Sequence, residues 1–309
     1  MSRTAMVFPG QGSQKVGMLA DLADDHVLVQ IFETVSREIG RDLRRLAIEG
    51  PPADLDSTTV TQPLMLATDV AFYAIQRVQG GAKPGVVAGH SLGEYPALYV
   101  AGVLELPALA RLVAVRARLM QEAVAPGAGA MAAILGLDGP ALEAVCRNVT
   151  SGVVEAVNYN CPGQIVIAGE RAAVEAAMVA ARAAGAKRAL LLPVSVPAHS
   201  SLMKKASRAY AHELAQYDLK PPVLPVVHNA DLAEHPDPAS IREALAAQLA
   251  SPVRWTETIE HLRDRHGVSR IVECGPGRIL LGLDRRIAPE IEHRSLENRE
   301  TILQYAETR

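Results

Sequence analysis

A serine flanked by glycines, Gly-His-Ser-Leu-Gly at residues 89–93, stands between a short apolar run and a segment that can form a helix. The run at 85–88 is typical of a buried strand, and residues 94–101 can be helical because Pro96 would lie in the first turn. A serine on such a sharp turn exposes its Oγ, and the N–H groups at the helix start face whatever it attacks. G-x-S-x-G also occurs by chance in ordinary turns, so it is the strand-turn-helix setting that favours a nucleophile at Ser91.

Composition excludes several other classes of protein. The chain has 309 residues, of which 49% are hydrophobic and 21% charged, as in a globular enzyme. A net charge of −3 and an aromatic content of 4% argue against binding to nucleic acid or to an anionic membrane. No apolar segment is long enough for a signal peptide or a membrane span. The three cysteines lack C-x-x-C spacing, so we expect a cytoplasmic protein without a structural metal.

The first part of the chain alternates between strand and helix patterns. Strands are predicted at residues 4–8 and 85–88, and helices at 63–78 and 106–124. Such alternation is typical of a parallel sheet covered on both faces. The pattern resumes near residue 196, with further strands predicted at the ranges 223–228 and 270–273.

Between these parts, the stretch Ala-Pro-Gly-Ala-Gly at 125–129 is a linker signal. The segment after it has the order β-α-β-β-α-β, which is that of a ferredoxin-like unit. The predicted fold is therefore α/β, with a large α/β-hydrolase-like domain (residues 1–125 and 196–309) interrupted by a small ferredoxin-like domain (126–195).

A serine nucleophile needs a base, and the chain has nine histidines. His199 stands out because it follows an extended, proline-bracketed segment where the small domain ends, and catalytic groups concentrate on such loops. His212, His261 and His266 lie in charged, helix-like stretches and are predicted to be solvated. From its context alone, His199 could instead be a surface residue or a hydrogen-bonded polar residue without a catalytic role.

Arg116 interrupts an apolar helix face. It lies four residues after Leu112 and four before Met120, whereas Arg111 and Arg118 fall on the other side of the helix. An arginine on a buried face must be paired. A structural salt bridge or a snorkelling side chain would meet that need, and so would a bidentate contact with a substrate carboxylate.

A glycine-rich turn, Phe-Pro-Gly-Gln-Gly-Ser-Gln at residues 8–14, follows the first predicted strand. It is neither G-x-G-x-x-G nor a P-loop. Its backbone N–H groups can still point into a cleft at the carboxyl end of the strand.

Taken together, these segments resemble the family of malonyl-CoA:acyl-carrier-protein transacylases over nearly the whole chain. The resemblance rests on motifs in the family's order: residues 8–14, Thr-Gln-Pro at 61–63, Gly-His-Ser-Leu-Gly-Glu at 89–94, Arg116 with Met-Gln-Glu at 120–122, Gly-Ala-Met at 129–131, residues 158–163, Val-Pro-Ala-His at 196–199 and Gly-Pro-Gly at 275–277.

The resemblance implies a Ser–His dyad with no acidic third member. The roles that it implies are Ser91 as nucleophile, His199 as base, the backbone N–H groups of Gln11 and Leu92 as oxyanion hole, Arg116 as the grip on the malonyl carboxylate, the backbone carbonyl of Gln248 as the group that orients His199, and Gln62 and Met120 as pocket lining. One departure is Pro96, where relatives usually carry a small residue. We expect it to be tolerated early in the helix, with a slight tilt of the turn.

The activity implied is transfer of a malonyl group from malonyl-CoA to the phosphopantetheine thiol of acyl carrier protein, through a malonyl-serine, for fatty-acid synthesis. No resident cofactor or metal is expected, and the chain is expected to be a monomer. Service to a polyketide synthase or a malonate decarboxylase is an alternative. Two further alternatives are a serine thioesterase or hydrolase and a non-catalytic carrier-binding subunit. Arg116 argues against the first, because hydrolysis needs no group that binds an anion in the acyl pocket.

Overall fold

The polypeptide folds into one parallel and one antiparallel sheet in a computed structural model, which describes residues 3–194 and 196–307. The strands are β1 (Arg3–Phe8), β2 (Val86–Gly89), β3 (Gly129–Leu135), β4 (Val154–Cys161), β5 (Gln164–Glu170), β6 (Arg188–Leu191), β7 (Val226–Val227), β8 (Val268–Cys274) and β9 (Glu292–Leu296). The helices are α1 (His26–Ile39), α2 (Leu43–Glu49), α3 (Pro52–Leu55), α4 (Thr58–Val78), α5 (Glu94–Val100), α6 (Leu106–Gln121), α7 (Gly139–Arg147), α8 (Arg171–Ala183), α9 (Lys204–Leu214), α10 (Pro238–Gln248), α11 (Trp255–Asp264), α12 (Ile279–Ile287) and α13 (Arg299–Glu307).

The parallel sheet has the strand order β7-β2-β1-β8-β9. Its central strand β1 is buried on both sides, since Met6 and Phe8 belong to one hydrophobic core and Ala5 and Val7 to another. Side chains alternate between the faces of a strand, so apolar residues at successive positions require cover on both faces. The predicted α/β fold with a covered parallel sheet is confirmed.

The antiparallel sheet has the order β4-β5-β3-β6, which is that of a ferredoxin-like unit. Helices α7 and α8 cover one face. On the other face Met131, Val157 and Val166 pack near Ala198, just before His199. The sheet is also tied to the rest of the chain, because the N–H of Tyr159 donates to the carbonyl of Val253 at 2.9 Å. The boundaries 125/126 and 195/196 stay predictions, and Ser195 itself lies outside the described residues.

Three of the predicted elements differ from the observed ones by three residues or more at one end. Helix α4 begins at Thr58, with Pro63 inside it, because burial of most of this long helix outweighs the one hydrogen bond that a proline removes. Helix α6 ends at Gln121, three residues before the predicted end. Strand β7 has only two residues, Val226–Val227, and Val223 is 80% exposed.

Within the described chain, no helix combines the length and the apolar character that crossing a bilayer requires.

Candidate active site

The turn that carries Ser91 joins β2 to α5 through one turn of 3₁₀ helix, Ser91–Gly93. Ser91 has φ of 53°, a left-handed conformation that is uncommon outside glycine and is associated with functional sites. A Cβ at Gly89 would overlap the backbone of Gly93, and one at Gly93 would overlap the carbonyl of Phe8. The two glycines are thus required by close backbone packing. Pro96 is the third residue of α5, where its missing N–H leaves no helical bond unmade.

Ser91 and His199 lie in direct contact, although 108 residues separate them in the chain. The distance between Ser91 Oγ and His199 Nε2 is 2.7 Å. His199 Nδ1 lies 2.9 Å from the backbone carbonyl of Gln248. A carbonyl only accepts, so Nδ1 carries the proton and Nε2 turns its lone pair toward the serine.

His199 is 3% exposed and has φ of 65°. Burial, and then the charge of Arg116, lower the pKa of His199 from 6.5 to about 3. The imidazole is therefore neutral at physiological pH, as a general base must be.

Arg116 reaches the same point from α6 and is 1% exposed. Its Nη1 donates to Gln62 Oε1 at 2.8 Å, and its Nη2 donates to Gln248 Oε1 at 2.8 Å and to Ser91 Oγ at 3.1 Å. The Nε atom is buried without a hydrogen-bond partner, and no acidic residue of 3–194 or 196–307 forms an ion pair with this guanidinium. Neutral amides therefore position the cation without neutralising it. The exposed Arg111 and Arg118 on the same helix pair with Glu38 and Glu122, respectively.

Gln248 does more than the sequence predicted. Besides its backbone contact with His199, its Nε2 donates to the carbonyl of Ser91 at 3.0 Å, and its Oε1 accepts from Arg116. One side chain thereby fixes the position of the serine backbone relative to the guanidinium.

These side chains surround a cavity of about 190 Å³. All the predicted site residues except Gln248 line it, namely Gln11, Gln62, Ser91, Leu92, Arg116, Met120 and His199. Gln62 Nε2 lies 3.6 Å from Met120 Sδ. The antiparallel sheet supplies another wall through Met131 and Asn158.

Sequence reasoning missed a buried polar group beneath the serine. Asn229 Oδ1 accepts from the N–H of Ser91 at 2.7 Å, and its Nδ2 donates to the carbonyl of Gly89 at 2.8 Å. The Glu94 carboxylate in turn accepts from the N–H of Asn229 at 2.5 Å and lies 3.2 Å from His228 Nδ1. These contacts hold the left-handed backbone of Ser91. Nothing near Asn229 in the sequence marks it, because its partners lie more than a hundred residues away.

His90, next to Ser91, is another support that sequence reasoning missed. Its Nε2 lies 2.9 Å from Asn160 Oδ1, and its ring centroid lies 5.4 Å from that of Trp255. Asn160 belongs to the antiparallel sheet, so this contact joins that sheet to the serine turn.

The other histidines behave differently from one another. His212 is exposed on α9, as predicted. The prediction that His266 is solvated is wrong, since it is 8% exposed, and His261 is half-buried. Helix α11 ends at Asp264, and the chain then turns His266 inward ahead of β8.

A serine on a strand-to-helix turn, with a neutral imidazole at its Oγ and a buried cation beside it, is the arrangement of the serine-dependent acyl-transfer class of enzymes. A family model described as "Acyl transferase domain" matches residues 5–280. The malonyl CoA-acyl carrier protein transacylase of Escherichia coli K12 is 49% identical over 289 residues, covering 93% of each chain. That of Bacillus subtilis is 40% identical, covering 98% of this chain and 96% of the relative. The chain belongs to the malonyl CoA-acyl carrier protein transacylase family.

Solved structures agree with this grouping. An acyl-carrier-protein S-malonyltransferase from Burkholderia pseudomallei superposes with a TM-score of 0.95 at 47% identity, covering 98% of this chain and 99% of that one. A malonyl transacylase in complex with the acyl carrier protein of a type II polyketide synthase gives 0.97 at 46% identity, with full coverage of both chains.

Proposed function

We propose that this protein transfers the malonyl group of malonyl-CoA to the phosphopantetheine thiol of acyl carrier protein. The observation that carries the proposal is the Arg116 guanidinium, which is buried, has no acidic partner in the described chain and lies 3.1 Å from Ser91 Oγ. A buried cation requires an anion. A malonyl thioester supplies such an anion, because one methylene separates its carboxylate from the carbonyl that the serine attacks.

In the first half of the reaction, His199 Nε2 takes the proton of Ser91 Oγ, which attacks the thioester carbonyl. The backbone N–H groups of Gln11 and Leu92 stabilise the oxyanion, an interaction typically worth about 3 kcal/mol for each donor. The C–S bond then breaks, and the CoA thiolate receives the proton from His199. The product is a malonyl ester on Ser91.

In the second half, the carrier thiol gives its proton to His199 and attacks the ester. The tetrahedral intermediate collapses, and Ser91 Oγ leaves with that proton. The reaction needs no resident metal or cofactor, because the same imidazole acts in both directions.

Substrate binding also changes the basicity of His199. The charge of Arg116 is the second cause of the lowered pKa of His199, after burial. A malonyl carboxylate on the guanidinium offsets that charge, so the pKa of His199 rises on binding. A substrate without the carboxylate leaves the imidazole a weaker base, and selectivity is thereby coupled to reactivity.

A basic surface supports an acidic carrier as acceptor. Five exposed cations flank the return from the antiparallel sheet toward His199: Lys187, Arg188, Lys204, Lys205 and Arg208. None forms an ion pair with a residue of the described chain. Exposed cations close in sequence to His199 would steer an acidic partner toward the catalytic base.

Fatty-acid synthesis is the proposed pathway, and service to a polyketide synthase is the second candidate. The second candidate is kept because a malonyl transacylase solved in complex with its type II polyketide carrier protein is similar to this chain over its full length. Paired measurements of kcat/KM with a fatty-acid carrier and a polyketide carrier decide between the two.

Transfer and hydrolysis are separated by following CoA release. Without a carrier, malonyl-CoA should give a burst of one CoA per active chain and then little turnover. Added holo-acyl carrier protein should restore turnover, with one malonyl-carrier formed for each CoA released. Continuous CoA release without a carrier, accompanied by free malonate, would instead identify a hydrolase.

The role of His199 is tested by its replacement. His199→Ala should slow acylation of Ser91 by a factor of about a hundred or more, the range of general-base losses. The matched control is His212→Ala, an exposed histidine on α9, which should leave the rate unchanged. Rapid-quench measurement of the burst gives both rates. Equal behaviour of the two variants would assign the base elsewhere.

A further inference from the structure

A second cluster of ionisable side chains lies outside the cavity of Ser91. It consists of Glu234, His261 and His266, whose carboxylate oxygen and ring nitrogens all lie within 4.8 Å of one another. Glu234 follows β7, His261 is in the last turn of α11, and His266 lies between α11 and β8. None of the three lines the Ser91 cavity, so the proposed acyl transfer does not use them.

An ion pair accounts for only part of this arrangement. Glu234 Oε1 lies 2.8 Å from His266 Nε2 and 4.0 Å from His261 Nε2. Both Nε2 atoms are buried, and neither has a hydrogen-bond partner among residues 3–194 and 196–307. His266 and Glu234 are thus an ion pair whose atoms approach outside the geometry of a hydrogen bond, as two ligands of one ion also do. The second imidazole has no part in a simple pair, and its buried, unpartnered nitrogen is costly.

We propose that Glu234, His261 and His266 bind a divalent transition-metal ion of the Zn²⁺ type. Two imidazoles and one carboxylate are a donor set that Zn²⁺ accepts, with bonds of about 2.0–2.2 Å, so that neighbouring ligands on a tetrahedral ion lie about 3.3 Å apart. The separations of 2.8 and 4.0 Å lie on either side of that value. Small rotations of the side chains bring all three into the first coordination sphere, and water takes the fourth position.

The backbone around the three side chains is already held in place. Arg3 Nη1 donates to the carbonyl of His266 at 3.1 Å, and Glu234 pairs with Val227 in an antiparallel bridge. Sites on such fixed backbone bind metal at a low cost in ordering. The sequence-based expectation of no structural metal rested on cysteine spacing, which does not report on a set of two histidines and a glutamate.

Metal binding would fasten together two supports of the serine turn. The loop that ends at Glu234 contains Asn229, which holds the N–H of Ser91. Helix α11, which ends near His261, begins with Trp255, which packs on His90. A metal ion between Glu234 and the two histidines therefore joins the far ends of both segments.

The test uses the full chain without a histidine tag, stripped with a chelator and titrated with Zn²⁺ by calorimetry and with Co²⁺ by visible absorption. The parent should bind one equivalent, give the intense spectrum of tetrahedral Co²⁺ and melt at a higher temperature with Zn²⁺. The variants His261→Gln, His266→Gln and Glu234→Gln should each weaken binding about tenfold or more while keeping malonyl transfer in the absence of metal. The control His212→Gln should bind like the parent.

Two results would overturn the proposal. One is the absence of saturable binding by the parent, which would leave Glu234 and His266 as an ion pair only. The other is equal loss of affinity in His212→Gln and in the three cluster variants, or no loss in any of them, since either outcome would place the ion on unrelated surface groups. Transfer activity without metal shows that a variant is folded, so loss of binding cannot be ascribed to unfolding.

Discussion

Arg116→Ala should lower kcat/KM for malonyl transfer by a factor that corresponds to about 2–5 kcal/mol of lost transition-state stabilisation, the cost of removing one partner of a buried charge pair. Acetyl transfer, poor in the parent, should hold steady or rise. In the parent, an acetyl group brings no carboxylate, so the buried guanidinium stays on the neutral amides of Gln62 and Gln248 at an energetic cost. The variant has no guanidinium and does not incur that cost. The measurement is the ratio of kcat/KM for malonyl-CoA and acetyl-CoA in the parent and the variant.

Two further variants sharpen this test. Arg116→Lys should restore malonyl transfer only in part, because an ammonium cannot make the planar two-bond contact. Arg118→Ala, on the exposed side of the same helix, should leave the ratio unchanged, because Arg118 forms a surface ion pair with Glu122, at 3.3 Å. A folded Arg116→Ala protein that keeps the parent's ratio would make Arg116 a structural residue and remove the main support for a malonyl substrate.

Incubation with malonyl-CoA should add one malonyl mass to the chain, on the peptide that contains Ser91, and Ser91→Ala should abolish it. Among the residues that the structure describes, the hydroxyl is the only nucleophile placed both on the neutral imidazole, at 2.7 Å, and beside Arg116. Intact-mass and peptide-mass spectrometry give the result directly. A thermal melt establishes that Ser91→Ala is folded.

The cysteines are the competing nucleophiles, and the structure argues against them. Cys161 is 2% exposed and Cys274 is fully buried. Burial raises the pKa of both thiols, so little thiolate forms at neutral pH. A malonyl mass on either cysteine that persists in Ser91→Ala would show that the serine assignment is wrong.

The parts of the fold that could be predicted are those with local causes. The continuous apolar run of β1 and the apolar face of α6 are present in the residues themselves, and so is the turn that the glycines around Ser91 require. Arg116 could be singled out because a cation interrupts an apolar helix face. Its lack of an acidic partner depends on contacts with Gln62 and Gln248, which spacing alone does not reveal.

What could not be predicted depends on contacts between distant segments. His199 was favoured by its proline-bracketed loop, but its left-handed φ of 65° and its buried setting arise from the backbone near Gln248 and Leu249. Asn229 looks like an ordinary loop residue until the chain folds it beneath Ser91. The part of α4 before Pro63, residues 58–62, was not predicted because tertiary burial overrides the local penalty of proline.

The bonds that complete the serine turn span long stretches of chain. Ser91 meets His199, Asn229 and Gln248 across 108, 138 and 157 residues, respectively. Closing loops of this length costs entropy that is recovered only when most of the tertiary structure is in place. A partly folded chain can form the turn locally, but it lacks the imidazole that makes the hydroxyl nucleophilic. We therefore expect acyl chemistry to begin only once these distant segments have come together, so a chain that has not yet folded should not consume malonyl-CoA.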